Sequence, residues 1–331
     1  MKIFRYLLPV MFIGAGFFTS CDTDPEPEQV VFPYTYSDLY YQNLRDYKAS
    51  DHQLAWGWFA DYTQMHSPAI RFAGLPDSID IVSLWGGIPS DVEGRESTKY
   101  LPEVAKEMRY IQQVKGVKLV VPTIVRIRDF ADFYEIWQNE SPEAGMEAFA
   151  QYLLRPIFEN DLDGLDLDYE PEGDYEPEGD PLSGDNFDYF VQYIGQFIGP
   201  MADPANVIEG TAIKGDPTKL LCIDYYNQRP SANTDQYTNL YVNQTYGGSP
   251  GGLPFTGCAT EKVIYTENVG DNYKAAECGQ LLNYARYKPA TGRKGGFGAF
   301  YIHRDYQNAV FGCTNYGNFR HGIQIQNPAI Y

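Results

Sequence analysis

Short apolar runs alternate with stretches of helical spacing along most of this chain. The apolar runs form eight segments, at residues 53–60, 79–86, 117–125, 164–170, 220–226, 240–246, 262–267 and 295–302. Between several of them, apolar residues recur every three or four positions, as in an amphipathic helix, most clearly at 99–115, 142–158 and 186–198. Strands that alternate with helices predict a parallel sheet. Eight such units in a chain of this length predict an α/β fold, a (β/α)8 TIM barrel.

The alternative arrangement is an open, doubly wound sheet. That fold usually carries a glycine-rich phosphate loop after its first strand, and no such loop follows residues 53–60. The stretch after the fifth run has few helix signals, so its structure is left open. We therefore predict one barrel domain over residues 36–331, with irregular segments after some strands.

The fourth run carries an acid at every second position. Asp166, Asp168 and Glu170 are two residues apart, so in a strand they share one face at a spacing of roughly 7 Å, while the apolar residues between them face the other way. Active sites of (β/α)8 barrels lie at the carboxyl ends of the strands. Glu170 ends its run, which predicts that it lies in the barrel mouth. A solvated surface strand is the structural alternative.

The composition narrows the class of ligand. The net charge of −19 argues against nucleic acids and anionic membrane surfaces, which would repel the chain, and favours a neutral ligand. Aromatic residues reach 15%, with 28 tyrosines, which suits core packing or stacking against sugar rings. With four histidines and no paired-cysteine motif, the sequence predicts neither a metal site nor a cofactor.

The first residues predict export. Lys2 and Arg5 precede an apolar run at residues 7–18, which is too short to span a bilayer. Residues 18–21 resemble a bacterial lipoprotein box, which implies a signal peptide over 1–20, lipidation of Cys21 and an acidic, proline-rich tether over 21–35. The predicted location is the cell envelope, anchored by lipid and facing the cell surface from the outer membrane. An ordinary secretory signal is the alternative.

Four further cysteines follow the tether. They are Cys222, Cys258, Cys278 and Cys313. An oxidising compartment would permit disulfides, but four cysteines allow three connectivities, and their spacing does not choose among them.

The acid row resembles a family signature. Together with Asp163, the pattern Asp-x-x-Asp-x-Asp-x-Glu resembles that of glycoside hydrolase family 18, which occurs on the fourth strand of a (β/α)8 barrel. That family includes chitinases, endo-β-N-acetylglucosaminidases and non-catalytic glycan binders. The resemblance implies that Glu170 is the general acid and that Asp168 orients the substrate's 2-acetamido group and stabilises an oxazolinium ion. Asp166 would share a proton with Asp168.

A second motif points to one branch of the family. Gln244 and Tyr246, two residues apart near the end of the sixth run, resemble the Gln-x-Tyr pair with which the endo-acting branch holds the acetamide. A tyrosine buried in the core is the alternative for Tyr246 alone. Chitinases usually carry Ser-x-Gly-Gly on strand 3 and a Trp on strand 8, and neither occurs here, where the last run ends at Phe300, Tyr301 and Ile302.

Several polar and aromatic residues near run ends are weaker candidates. For each of them, substrate contact and core packing are equally good interpretations. We predict as substrate-binding residues Trp58, Trp85, Tyr225, Asn227, Asn243, Glu267 and Tyr301.

The motif is repeated in tandem. Residues 168–174 recur as residues 174–180, so that Glu176 competes with Glu170 as the general acid. Only the first copy follows apolar residues that can form the back of a strand, which favours Glu170. The second copy is predicted to lie in a mobile acidic loop that narrows access or binds a cation, or that is a drifted duplication.

These observations predict an endo-β-N-acetylglucosaminidase. It would hydrolyse the β-1,4 bond in the N,N′-diacetylchitobiose core of N-glycans with retention of configuration, as a monomer. The alternatives are a non-catalytic glycan-binding surface lipoprotein and, third, a chitinase. The loops that select high-mannose, complex or hybrid glycans carry no pattern that favours one type.

Overall fold

A closed barrel of parallel strands forms the centre of the molecule. The computed structural model describes residues 36–64, 67–173, 175 and 178–328. Its strands are β1 (Leu54–Phe59), β2 (Ile81–Leu84), β3 (Ile88–Ser90), β4 (Thr98–Tyr100), β5 (Lys118–Ile124), β6 (Gly164–Tyr169), β7 (Leu220–Tyr225), β8 (Leu240–Asn243), β9 (Val263–Asn268) and β10 (Gly296–Phe300). The barrel order is β1-β10-β9-β8-β7-β6-β5-β2, and β3 pairs with β4 in a separate small sheet. The predicted (β/α)8 barrel is confirmed, and each predicted run coincides with one barrel strand to within a few residues.

Helices surround the barrel unevenly. They are α1 (Asp38–Ala49), α2 (Pro102–Gln113), α3 (Ala131–Asn139), α4 (Pro142–Glu159), α5 (Asp185–Ile194), α6 (Val269–Asn272), α7 (Leu281–Arg286) and α8 (Gly317–Gln326). Helix α2 falls within a predicted helical stretch, and α4 and α5 each extend one residue beyond theirs. The link from β7 to β8 contains a single 3-10 turn and no α-helix, which agrees with its weak helix signals.

Aromatic side chains fill the lower half of the barrel. Trp56 and Trp58 point inward from β1 and are fully buried, with ring centroids 5.5 Å apart. On the neighbouring strand, Gly298 leaves room for them, because a Cβ there would lie 2.8 Å from the Cβ of Trp56. These rings fill the barrel interior beneath its mouth.

The outward residues of β6 pack under the helices, as the alternation predicts. Leu165 and Leu167 are fully buried, and the Tyr169 ring stacks on Phe187 of α5 at 3.9 Å. Burying each such side chain contributes roughly 1.5–3 kcal/mol. This apolar back fixes the register of β6 and thereby turns its acids toward the barrel axis.

Some predictions concern residues that the structure does not describe. Cys21, its signal peptide and the tether lie outside the described residues, and envelope anchoring remains a prediction. Among the described helices, none has the length and apolarity needed to cross a membrane. The four cysteines after the tether are unpaired, with Cys222 inside the barrel.

Candidate active site

The acids of β6 rise in a row from the barrel interior to its mouth. Asp166 and Asp168 are buried, whereas Glu170, one residue beyond the strand end, keeps 32% of its side chain exposed. The row therefore runs from fully enclosed to accessible. Its outermost member, Glu170, is the most accessible to a bulky substrate.

Asp166 is anchored at the bottom of the row. Its Oδ2 accepts hydrogen bonds from Trp58 Nε1 at 2.9 Å and from Ser83 Oγ at 2.8 Å. Burial raises the pKa of Asp166 to about 6, although these two donors favour the ionised form. Trp58 was predicted to contact substrate, and this is wrong: its ring is buried beneath the acids, and its role is to hold Asp166.

Asp168 occupies the middle position. Its Oδ1 accepts a hydrogen bond from Gln244 Nε2 at 3.1 Å. Burial, followed by the charges of Glu170 and Asp166, raises the pKa of Asp168 well above its ordinary value. Adjacent carboxyls in a site of low polarity cannot all ionise cheaply, so the row holds protons near neutral pH.

Glu170 is positioned by one arginine. Arg126 Nε donates to the Glu170 backbone oxygen at 2.6 Å, and its Nη2 lies 3.2 Å from Oε2. Burial raises the pKa of Glu170, and the charge of Arg126 opposes this rise. A carboxyl at the cleft surface with a raised pKa suits a general acid, which must carry its proton at the working pH.

Replacing Arg126 with methionine should move the pH dependence of catalysis. Because the guanidinium lowers the pKa of Glu170, its removal raises that pKa, and Glu170 keeps its proton to higher pH. The alkaline limb of the kcat–pH profile should therefore shift upward. Steady-state assays across pH measure this, with Arg128→Met as the neighbouring control. An unchanged or downward-shifted limb would contradict the assignment of Glu170 as the acid.

The predicted pair Gln244 and Tyr246 lies beside the acids. Gln244 is buried and donates both to Asp168 and, at 2.7 Å, to Asp224. Tyr246 has a positive φ of 33°, and its backbone N–H binds Thr266. Burial and the charges of the surrounding carboxyls raise the pKa of the Tyr246 phenol, which therefore stays neutral and can donate a hydrogen bond.

Asp224 is a site residue that the sequence reasoning missed. It pairs in register with Asp168 across β6 and β7 and is 1% exposed. A signal was present, because Leu220, Cys222 and Asp224 alternate along β7. An acid on the inward face of an otherwise apolar strand needs a polar partner.

An aromatic group lies around the rim of the cleft. Phe300 contacts Trp85 at 5.3 Å, Tyr301 at 4.1 Å and Tyr246 at 6.3 Å between ring centroids. Tyr226, which is half exposed, stacks on Tyr246 at 6.3 Å. The predicted residues Trp85 and Tyr301 therefore lie near the site, and Phe300 and Tyr226 belong to the same aromatic group.

Other predicted contacts lie away from the cleft. The Tyr225 ring is fully buried outside the barrel, where its hydroxyl accepts from Asn243 at 3.1 Å. The Glu267 carboxylate is fully buried and binds Asn268 N, Asn272 and Gln280 N. The predictions for Tyr225, Asn243 and Glu267 are therefore corrected, because these side chains support loops instead of contacting substrate. Asn227 is exposed on the loop after β7, and its contact with substrate stays a prediction.

Asp163 serves structure although it belongs to the motif. Its carboxylate accepts hydrogen bonds from Leu119 N at 3.0 Å, Gln112 at 2.8 Å and Lys118 at 2.8 Å. These bonds join β6 to β5 and to the end of α2, at the barrel end opposite the mouth.

The tandem repeat ends on a buried anchor. The Asp180 carboxylate accepts from the backbone N–H groups of Ile127, Arg128 and Leu182 at 2.9–3.1 Å. Its own N–H donates to Pro171 O at 2.7 Å. The last residue of the second copy is therefore fixed, whereas the sequence predicted that the whole second copy lies in a mobile loop. Glu176 lies outside the described residues.

The chain was compared with known proteins. The model of glycoside hydrolase family 18, BT1044-like, matches residues 18–325. Endo-beta-N-acetylglucosaminidase F2 of Elizabethkingia meningoseptica is 25% identical over 325 residues, which cover 89% of this chain and 88% of that protein.

Solved structures agree with the fold. A variant of BT1044 has a TM-score of 0.65 at 21% identity and covers 88% of this chain and 93% of its own. An endo-beta-N-acetylglucosaminidase mutant of Cordyceps militaris, in complex with fucosyl-N-acetylglucosamine-Asn, has a TM-score of 0.61 at 20% identity and covers 89% and 98%. The family match spans nearly the whole chain, and the predicted resemblance is confirmed: this glycosidase belongs to glycoside hydrolase family 18.

Proposed function

We propose that the protein is an endo-β-N-acetylglucosaminidase that cleaves the β-1,4 bond of the N,N′-diacetylchitobiose core of N-glycans. The observation that carries this proposal is the group formed by Asp168, Gln244 and Tyr246. It places a carboxyl, an amide and a neutral phenol together beside the general acid. The similarity to Endo-beta-N-acetylglucosaminidase F2 supports the same activity.

The acid row suits a substrate-assisted mechanism. Asp168 and Glu170 extend from one face of one strand, so they do not flank a bond from opposite sides, as the usual carboxyl pair of glycosidases does. In the proposed reaction, Glu170 protonates the leaving oxygen while the 2-acetamido oxygen of the substrate attacks the anomeric carbon. Asp168 then balances the positive charge of the oxazolinium ion. Water opens this ion, and its proton passes to Glu170.

Glycan release tests the proposal. The purified protein is incubated with glycoproteins that carry high-mannose, hybrid or complex glycans, and both products are analysed by mass spectrometry. The expected result is a free glycan that ends in one N-acetylglucosamine and a protein that retains the other. Absence of release from all three glycan types would reject the proposal.

Two other functions are separated when glycan binding and cleavage of chitin oligomers are measured beside glycan release. A non-catalytic binder would bind glycan without turnover, and a chitinase would cleave chitin oligomers but not glycoproteins. The presence of Asp166, Asp168 and Glu170 favours turnover. The inward aromatic residue at the end of β10 is Phe300, where a chitinase usually has a tryptophan.

A further inference from the structure

Asp224 adds a third enclosed carboxyl to the barrel interior. It projects from β7 toward Asp166 and Asp168 of β6, and each of the three is at least 97% buried. In the described part of the chain, no lysine or arginine forms an ion pair with any of these three carboxyls. The nearby Arg126 pairs with Glu170 instead. Three neighbouring anions without a cation would be very costly in this environment, so at least one carboxyl must be neutral.

The hydrogen bonds indicate which carboxyl holds the proton. Asp166 receives two donors on Oδ2, from Trp58 and Ser83, which favours its ionised form. Asp224 receives only the Gln244 amide on Oδ2. The Oδ1 atoms of Asp166 and Asp224 are both buried and have no donor among the described residues.

One proton satisfies both of these oxygens. The carboxyls of Asp166 and Asp224 lie on the same inward face of two adjacent strands, and each acts on the pKa of the other. A proton on Asp224 can be donated to Asp166, which removes two unsatisfied buried acceptors at once. The groups that face Asp224 are Asp166 and Asp168 from β6, Tyr246 beyond β8 and Cys222 on its own strand. None of them is a cation that would stabilise an ionised Asp224.

The Gln244 amide is oriented by the same arrangement. Its Nε2 atom carries two hydrogens, and these point to Asp168 and Asp224. The reverse orientation would place the amide oxygen against two carboxyls. In the observed orientation, Oε1 accepts no hydrogen bond from the described residues, so it is available to a ligand.

We propose that Asp224 is a positioning residue that carries a proton in the resting enzyme, donates it in a hydrogen bond to Asp166 and fixes the amide of Gln244 so that its oxygen can accept from the substrate. This role rests on the proposed function, because the ligand of Gln244 would be the acetamide N–H. Burial and the charges of Asp166 and Asp168 raise the pKa of Asp224 well above its ordinary value, which agrees with a proton held at neutral pH.

Two substitutions test whether Asp224 acts as a neutral hydrogen-bond donor or as an anion. Asp224→Asn keeps a neutral group that can donate to Asp166 and accept from Gln244, whereas Asp224→Leu keeps the approximate volume and can do neither. We expect the Asn variant to retain kcat within about threefold and to keep the wild-type pH profile. The Leu variant should lose about tenfold or more in kcat, the equivalent of one or more buried hydrogen bonds. Cys222→Ala, one layer deeper on the same face, controls for loosened packing and should leave kcat unchanged.

Infrared spectroscopy detects the proton without turnover. At neutral pH, the difference between the wild-type and Asp224→Asn spectra should contain the band of one protonated carboxyl, because protonated groups such as Glu170 contribute equally to both proteins. A difference spectrum without this band would place the proton elsewhere and overturn the proposal. So would an Asn variant as impaired as the Leu variant, or a fully active Leu variant. The spectrum needs only the Asn variant and no substrate, so it decides the location of the proton even where glycan release fails.

Discussion

Replacing Glu170 with glutamine should lower the rate of glycan release by about 10²- to 10⁴-fold, the usual contribution of a general acid. Glutamine keeps the shape of the side chain but has no proton to give to the leaving oxygen. The backbone oxygen of residue 170 can still accept from Arg126, so the loop should keep its position. We therefore expect a nearly unchanged melting temperature together with the loss of kcat, measured by mass spectrometry of released glycan.

The tandem repeat supplies matched controls for this experiment. Glu178 is exposed in the second copy, and Glu178→Gln should leave activity unchanged. Glu176→Gln tests the competing glutamate of the repeat directly. Retention of more than one tenth of the activity in Glu170→Gln, or a large loss in Glu176→Gln, would show that the acid has been assigned to the wrong copy.

Replacing Asp168 with asparagine should cost on the order of 10²-fold or more in kcat, the range for removing one group that stabilises charge in the transition state. Asparagine can still accept from Gln244, so the local hydrogen bonds remain. It cannot balance the positive charge of the oxazolinium ion, and this loss affects the transition state more than substrate binding. We expect kcat to fall with little change in KM, measured on a glycopeptide.

Asp163 offers a control from the same motif. Asp163→Asn weakens the charge-assisted bonds from Lys118 and Leu119 N at the far end of the barrel. It should lower the stability by about 1–3 kcal/mol while kcat of the folded protein stays near the wild-type value. Full activity in Asp168→Asn, or loss of kcat in Asp163→Asn below its melting temperature, would contradict the division of the motif into catalytic and structural acids.

The alternation of residues 164–170 was enough to place the acid row. Because apolar and acidic side chains lie on opposite faces of β6, only one orientation of the strand buries Leu165 and Leu167 under the helices. Gln244 was found because, with Tyr246, it resembles the Gln-x-Tyr pair of the endo-acting branch. These inferences use local spacing, which a sequence displays directly.

The errors arose where the site depends on depth and on neighbouring strands. Trp58 points into the barrel, but its ring is buried below the cleft, where its Nε1 donates to Asp166. Tyr225 and Glu267 lie near strand ends, but inward and outward side chains alternate along a strand, and these two positions face outward. The inward face of Asp224 could be predicted from its alternation with Leu220 and Cys222, but its position opposite Asp168 follows from the register. Register in a closed barrel is set by all the strands together.

The bond between Asp180 N and Pro171 O allows whole repeat units to be removed or inserted. The repeat unit is six residues long, so excising residues 174–179 would leave Pro171 and Asp180 three positions apart, the spacing of the hydrogen bond that closes a β-turn. Gly173, with its positive φ of 36°, would lie at a corner of that turn. Whole units can therefore be gained or lost between two fixed ends, without disturbing Glu170 before them or Asp180 after them. A chain shortened by one unit keeps both ends of this bond but loses the contacts of Tyr175 with Asp129 and Arg128. Its melting temperature should therefore fall only slightly, and the junction should tolerate inserted peptides.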